Sequence, residues 1–282
     1  MKRTQWIVAG AALLLTVGIY AATQDNIFGA KPKHTAAAAT VQPAGITIDS
    51  ILHHAKEALT PEQATRINFL ENSISRGDVA TQKEHVYHQL ARFWKDTARI
   101  FEPYAWYTAE AARLENSENS LTFAAHLFLD NLQTEQNPAV KQWKGLQAKD
   151  LFERSLKLNP DSDSSQIGLG ATYLFGGISE NPMEGLTRIR QVADKDSTNV
   201  YAQLTLGRAS LMSRQMDRAI ARYQKVVELD PRNLEAILTL ADIYEQQGDK
   251  KLAVQWYRRS LALIEIPGLR AEVEKRIGLL SK

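Results

Sequence analysis

The feature that most constrains the fold is a set of evenly spaced chain breaks in the C-terminal half. The breaks fall at Pro160, Ser197, Pro231 and Glu265, with spacings of 37, 34 and 34 residues. Between the breaks, apolar residues recur every three or four positions, which is typical of amphipathic helices and not of strands. A period of this length holds two helices and two short turns. From Asp49 onward the sequence therefore predicts an all-α fold of stacked helical hairpins.

Small and aromatic residues recur at fixed places within each period. In the segment from Val200 these residues are Leu206, Gly207, Ala219, Tyr223 and Pro231. In the segment from Leu234 they are Leu240, Ala241, Tyr244, Ala253 and Tyr257. These segments resemble tetratricopeptide repeats, whose signature is a Leu-Gly pair, a Tyr, an Ala, an aromatic residue and a Pro over 34 residues. The resemblance implies a solenoid of helical hairpins wound into a right-handed superhelix.

The resemblance divides the chain into segments of unequal similarity. It is closest over residues 200–267 and extends to 163–199. Only the second helix of 118–162 matches, and 49–117 is helical but departs from the motif. The predicted organisation is a membrane anchor at 1–24, a flexible linker at 25–48, a diverged helical region at 49–117, a diverged repeat at 118–162, repeats at 163–199, 200–233 and 234–267, and a capping helix at 268–282.

The N-terminal segment has the pattern of a membrane anchor. Lys2 and Arg3 precede 21 uncharged residues, 4–24, and a helix of that length rises about 31 Å, close to the thickness of the bilayer core. The basic pair predicts a single-pass inner-membrane protein with a cytoplasmic N-terminus and a periplasmic C-terminal domain. A cleaved signal peptide, which would release the protein into the periplasm, is the alternative, although the small-x-small cleavage pattern is poor at Ile19–Ala22.

Residues 25–48 differ in composition from the segments on either side. Pro32, Pro43 and Gly45 interrupt any helix in this stretch, and few large apolar side chains are present to form a core. We expect a flexible tether that separates the helical region from the membrane.

Charge and cysteine content exclude several classes of function. Four of the 34 basic residues but only one of the 32 acidic residues lie in 1–48, so residues 49–282 carry a net charge of about −1. A nearly neutral surface does not favour binding to nucleic-acid phosphates. Because the chain contains no cysteine, it has no disulfides, thiolate nucleophiles or cysteine-ligated metals.

Candidate chemical motifs are incomplete. His85 and His88 share a helix face, and His53 and His54 are adjacent, but no further motif residue completes a metal site. The acidic turn at 161–165 lacks the glycine and the closing glutamate of a calcium loop. The sequence therefore predicts no catalytic residue, no metal and no cofactor, and the protein is not expected to be an enzyme.

The resemblance to tetratricopeptide repeats implies binding of a protein or peptide in a concave groove lined by the first helix of each repeat. The residues predicted to line it are Phe175, Tyr201, Arg208, Met212, Glu235, Asp242, Glu245 and Gln246. Because Arg208 is the only basic residue among them, we expect a partner with hydrophobic anchors and a basic end. The expected function is a membrane-tethered scaffold or assembly factor. The alternatives are a structural subunit of an envelope complex and an enzyme with a cryptic site.

Overall fold

The computed structural model describes residues 46–76, 80–178 and 182–282. These ranges contain thirteen α-helices and one π-helical segment and no strand, which confirms the predicted all-α class. The predicted anchor and residues 25–45 of the predicted linker lie outside the described residues. Within these three ranges, no helix combines the length and the apolar character that crossing a bilayer requires.

The chain divides between Ile189 and Arg190 into two compact units. We call them the N-terminal unit and the C-terminal unit. The helices of the N-terminal unit are α1 (Ile48–Glu57), α2 (Pro61–Arg76), α3 (Ala80–Arg92), α4 (Phe101–Glu115), α5 (Glu118–Leu132), α6 (Pro138–Leu158), α7 (Asp163–Phe175) and most of α8 (Pro182–Lys195). A π-helical segment, Phe93–Ala98, follows α3 directly.

Local capping groups start helices of the N-terminal unit. The Thr60 hydroxyl accepts a hydrogen bond from the Gln63 N–H, and the Gln63 side chain accepts one from the Thr60 N–H. This is a capping box before Pro61. In the same way, the side chain of Asn137 accepts hydrogen bonds from the first backbone N–H groups of α6.

The helix that begins at Ala80 is α-helical as far as Arg92 and continues as the π-helical segment to Ala98. The wider turns of the π-helical segment place the consecutive side chains of Phe93 and Trp94 in one core, with their rings edge to face at 5.4 Å. The segment ends at Arg99, whose φ of 58° breaks the helix. A regular α-helix separates neighbouring side chains by a larger angle, so a π segment suits two consecutive buried aromatic residues.

Close backbone approach joins α7 to α8. A Cβ atom on Gly170 would lie 2.6 Å from the carbonyl oxygen of Gly185, and a Cβ on Gly185 would clash in turn with the carbonyl of Gly170. Only glycine allows two helices to approach so closely at both positions. The close packing of α7 against α8 therefore depends on these two glycines.

The C-terminal unit contains the segments with the closest repeat resemblance. Its helices are α9 (Val200–Met212), α10 (Met216–Leu229), α11 (Leu234–Gln246), α12 (Lys250–Leu261) and α13 (Pro267–Leu280). Asn199 and Asn233 lie 34 residues apart, and their side chains cap α9 and α11 through the same type of hydrogen bond. Gly248, with a φ of 80°, makes the tight turn between α11 and α12.

Aromatic residues fill the core of the C-terminal unit. Tyr223 and Tyr257 are both buried, as predicted for residues between successive hairpins. At the end of the unit, α13 contributes Leu269 and Val273 to a cluster formed around Tyr257. This helix therefore covers apolar surface that the preceding hairpin would otherwise expose, as the terminal helix of a solenoid must.

Candidate functional site

The first helices of the two repeats in the C-terminal unit present matching positions to one surface. Positions 201, 208 and 212 of α9 correspond to 235, 242 and 246 of α11 at a spacing of 34 residues. Spacings of seven and eleven residues keep side chains on one side of a helix. We call this surface the A-helix face and define it by the predicted groove residues of the unit, which are Tyr201, Arg208, Met212, Glu235, Asp242, Glu245 and Gln246.

A two-point ion pair joins α9 to α11 across this face. Nε and Nη2 of Arg208 lie 2.6 Å and 2.5 Å from the two carboxylate oxygens of Glu235. Burial disfavours the charged guanidinium, but the contacts with Glu235 outweigh burial and raise the pKa of Arg208. The positive charge predicted for this part of the groove is therefore already balanced by a carboxylate of the neighbouring repeat.

A four-residue polar cluster lies at the other end of the face, and we call it the terminal cluster. Its members are Asp242 and Glu245 of α11, Tyr257 of α12 and Arg276 of α13. The Tyr257 hydroxyl lies 2.5 Å from Oδ1 of Asp242 and 2.5 Å from Oε2 of Glu245. The Arg276 guanidinium lies 3.1 Å from Asp242 and 3.7 Å from Glu245. Burial raises the pKa of Asp242 to about 6, and contacts with Tyr257 and Arg276 only partly oppose it.

Sequence reasoning missed Arg276 as a site residue, although a signal for it was present. Residues 208, 242 and 276 are separated by 34 residues each, so Arg276 occupies the same register on α13 as Asp242 on α11. Continuing the register by one period into the predicted capping helix would have placed a cation beside the two acidic residues. The predicted acidic end of the groove is thus partly neutralised from within the chain.

The remaining predicted residues differ in exposure. Met212 is 57% exposed and Gln246 is also exposed, whereas Tyr201 is half-buried. Phe175 belongs to the N-terminal unit, where it is half-buried and packs against the core formed by α4–α7. Seven of the eight predicted residues therefore lie in the C-terminal unit, and their role in binding stays a prediction.

One group of side chains in the N-terminal unit has the composition of a metal site. Ligand atoms of Glu84, His88 and Glu115 all lie within 4.8 Å of one another, whereas His85 forms a hydrogen bond with Gln89 instead. The sequence had paired His85 with His88, but His88 faces the two carboxylates. The side chains of Glu84 and His88 form an ordinary i,i+4 pair at 3.9 Å, and exposed pairs of this kind occur widely without a metal. The geometry alone therefore assigns no ion to this group.

Comparison with known proteins identifies the repeats. Residues 204–267 match the family described as tetratricopeptide repeat, and no curated protein sequence matches the chain. The solved structure of MamA 41-end from Desulfovibrio magneticus RS-1 is 24% identical over 66% of this chain and 96% of that chain, with a TM-score of 0.43.

Two further solved structures are similar. PilW, described as a widely conserved type IV pilus biogenesis factor, is 18% identical over 69% of this chain and 86% of that chain, with a TM-score of 0.47. YrrB, described as a TPR protein with an unusual peptide-binding site, is 15% identical over 73% and 97%, with a TM-score of 0.41. The family match falls on α9–α12, where the paired helices, the caps and the buried tyrosines follow a 34-residue register, and this part of the chain consists of tetratricopeptide repeats.

Proposed function

We propose that this protein is a non-catalytic scaffold or assembly factor that binds a partner protein or peptide on its A-helix face. The observation that carries the proposal is the exposure of Met212, which lies about one helical turn after Arg208 of the Arg208–Glu235 ion pair on α9. A flexible, polarizable thioether at an exposed position is a common apolar contact in adaptable binding surfaces. The neighbouring charges would orient a partner, and Met212 would receive its apolar anchor.

The charges on the A-helix face favour a partner with a basic end. Arg208 balances Glu235, but Arg276 is a single cation beside the two carboxylates of Asp242 and Glu245. When both carboxylates are ionised, the terminal cluster carries a net charge of −1, which a lysine or arginine of the partner would neutralise. Because Arg208 and Arg276 face these carboxylates, the field is weaker than the three acidic residues of the predicted groove would give without them.

The proposal includes the membrane anchor and the shape inferred from the repeat family. Residues 4–24 would cross the inner membrane once, with the helical region in the periplasm, and the repeats would form a right-handed superhelix whose concave side carries the A-helix face. The absence of cysteine gives a direct test of this topology. An Ala37→Cys variant should react in intact cells with a maleimide that enters the periplasm but does not cross the inner membrane. Labelling only after lysis would contradict the topology.

Site-specific photocrosslinking tests the binding face. A photoreactive residue at Gln246 lies on the A-helix face, and one at Gln255, which is also exposed and lies on α12, is the matched control from the same hairpin. We expect one identified partner to be captured in cells from position 246 and not from 255. Binding of the purified partner should then weaken when Met212 is replaced by Ser. Capture from position 255 alone would contradict the assignment of the face.

A second candidate role uses the N-terminal unit. Phe69 on α2 is 71% exposed, and a large exposed aromatic side chain is a frequent anchor in protein interfaces. This observation favours the alternative of a structural subunit of an envelope complex that makes contact through residues 49–117. Crosslinks that arise from position 69, and not from position 246, would support this role over the first.

A further inference from the structure

In the terminal cluster, the Tyr257 hydroxyl makes two short contacts with carboxylate oxygens but has only one hydrogen to donate. Both carboxylate contacts of Tyr257 are 2.5 Å, a length typical of O–H···O hydrogen bonds to a charged acceptor. A phenol carries one hydrogen and can donate it to one oxygen at a time. The second contact therefore joins two oxygen atoms with no hydrogen between them unless a carboxyl group supplies one.

Arg276 does not supply the missing hydrogen. Its Nη1 lies 3.1 Å from the Tyr257 oxygen and 3.1 Å from Oδ1 of Asp242, so it donates towards these atoms from the side. No hydrogen of Arg276 therefore lies between the Tyr257 oxygen and the second carboxylate. A proton on Asp242 closes the network, because Asp242 then donates to Tyr257 and Tyr257 donates to Glu245.

We propose that Asp242 and Glu245 share one bound proton through Tyr257, and that this proton stabilises the junction of α11, α12 and α13. Binding it leaves Glu245 as the one carboxylate and Arg276 as the one cation, so the cluster is neutral. Every short contact then contains a hydrogen. This inference does not depend on the proposed function, because it concerns the protonation of the chain by itself.

The surroundings of Asp242 agree with the retention of a proton. Burial is the main cause that raises its pKa, and the negative charge of Glu245 on the same helix adds to the effect. The Tyr257 hydroxyl of α12 and Arg276 of α13 act in the opposite direction, and Glu272 of α13 faces Arg276 and offsets part of its charge. For Tyr257, burial and both carboxylates raise the pKa of the phenol, so the phenol keeps its own hydrogen and does not supply a second one.

The pH dependence follows from the raised pKa. In the unfolded chain Asp242 loses its proton near its ordinary value, whereas in the folded chain it keeps the proton up to about pH 6. The stabilisation is therefore complete below the unfolded pKa and is lost as the pH rises through 6. At neutral pH two carboxylates compete for one phenolic hydrogen, and one of the short contacts must lengthen.

Carboxyl ¹³C NMR of the full chain in detergent tests the proposal directly. Spectra of protein labelled at the side-chain carboxyl carbons of Asp and Glu would be recorded from pH 3.5 to 8. We expect one resonance with a midpoint near 6 that disappears in Asp242→Asn. In Glu245→Gln the Asp242 midpoint should move to lower pH, because the shared proton has lost its second carboxylate. The control Glu235→Gln, at the other ion pair of the face, should leave this midpoint in place.

Two results would overturn the proposal. If both Asp242 and Glu245 titrate in the folded wild-type protein below about pH 4.5, near the ordinary values of carboxyl groups, no proton is retained. If Asp242 titrates near 6 but its midpoint is the same in Glu245→Gln, burial alone holds the proton and the two residues do not share it. The first measurement uses only the wild-type chain and does not require any variant to fold.

Discussion

The two units each bury a charged cluster, and the clusters differ in the supply of hydrogens to their carboxylates. In the N-terminal unit, Lys144 is 1% exposed, and its ammonium lies 2.8 Å from Glu102 and 2.6 Å from Glu135. A third contact, also 2.6 Å, goes to the side-chain oxygen of Asn131. An ammonium has three hydrogens, so each of these acceptors receives one.

The terminal cluster of the C-terminal unit also combines one cation with two carboxylates, but the pKa of its buried carboxyl group shifts in the opposite direction. Burial tends to raise the pKa of Glu135, but hydrogen bonds from Lys144 and the backbone outweigh burial, and the pKa is lowered. Burial also acts on Asp242, where the shared phenol and one guanidinium do not outweigh it, and the pKa is raised. Burial therefore does not decide by itself how a carboxyl group titrates. The hydrogen bonds and the positive charge that face a carboxyl group oppose burial, and they prevail at Glu135 but not at Asp242.

The largest effect is expected when Lys144 is removed. Lys144→Met keeps the length of the buried side chain but leaves Glu102 and Glu135 as close, partly buried carboxylates without their cation. Removal of one partner from a buried ion pair costs about 3–5 kcal/mol, and we expect about 3 kcal/mol here because both carboxylates retain some contact with water. Urea unfolding followed by circular dichroism measures this loss.

Lys157 provides the control for that measurement. It lies on the same helix, α6, and is exposed. Lys157→Met should change the free energy of unfolding by no more than about 0.5 kcal/mol, as surface substitutions usually do. Equal losses in the two variants would mean that the buried cluster contributes no more to stability than an exposed lysine does.

A smaller loss is expected for the cation of the terminal cluster. Arg276→Met removes the one positive charge beside Asp242 and Glu245 and should destabilise the C-terminal unit by about 1–2 kcal/mol at pH 7.5. The loss should shrink at pH 5, where the shared proton already neutralises one carboxylate. Hydrogen exchange of peptides from α11 and α13 measures the change locally. A loss that is the same at both pH values would contradict the difference drawn between the two clusters.

The elements that the sequence predicted well are those whose causes are local. The breaks predicted at Ser197 and Pro231 lie between helices, because caps and turns act within a few residues. The burial of Tyr223 and Tyr257 follows from a repeated register. The π-helical segment was missed because its cause is the shared core of Phe93 and Trp94, and a linear pattern does not reveal which core two neighbouring side chains enter.

The polar contacts of the two buried clusters were not predicted, because they join residues far apart in the chain. Glu102 and Lys144 are 42 positions apart, and Asp242 and Arg276 are 34 apart. Helical periodicity gives the face on which a side chain lies but not the partner it meets across a neighbouring helix. Only the repeat register carries such information, which is why Arg276 could have been found from the sequence and Lys144 could not.

The smallest changes in the free energy of unfolding are expected when one carboxyl group of each cluster, Glu135 or Asp242, is replaced. These changes should depend on pH. Glu135 has a lowered pKa, so it stabilises the N-terminal unit above its unfolded pKa, and this contribution is lost as the pH falls. Asp242 behaves in the opposite way, because its stabilising proton is lost as the pH rises through 6.

At pH 7.5, Glu135→Gln should therefore cost about 1 kcal/mol, whereas Asp242→Asn, which keeps a neutral side chain, should stabilise the protein by up to about 1 kcal/mol. The effect of Asp242→Asn should approach zero near pH 4, and the cost of Glu135→Gln should shrink as the pH falls below the unfolded pKa of Glu135. Hydrogen exchange of α6 and α11 peptides, corrected for the intrinsic pH dependence of amide exchange, would show the two signs. If both substitutions destabilise the protein equally at pH 7.5, the two carboxyl groups do not differ in the way that their hydrogen-bond donors predict.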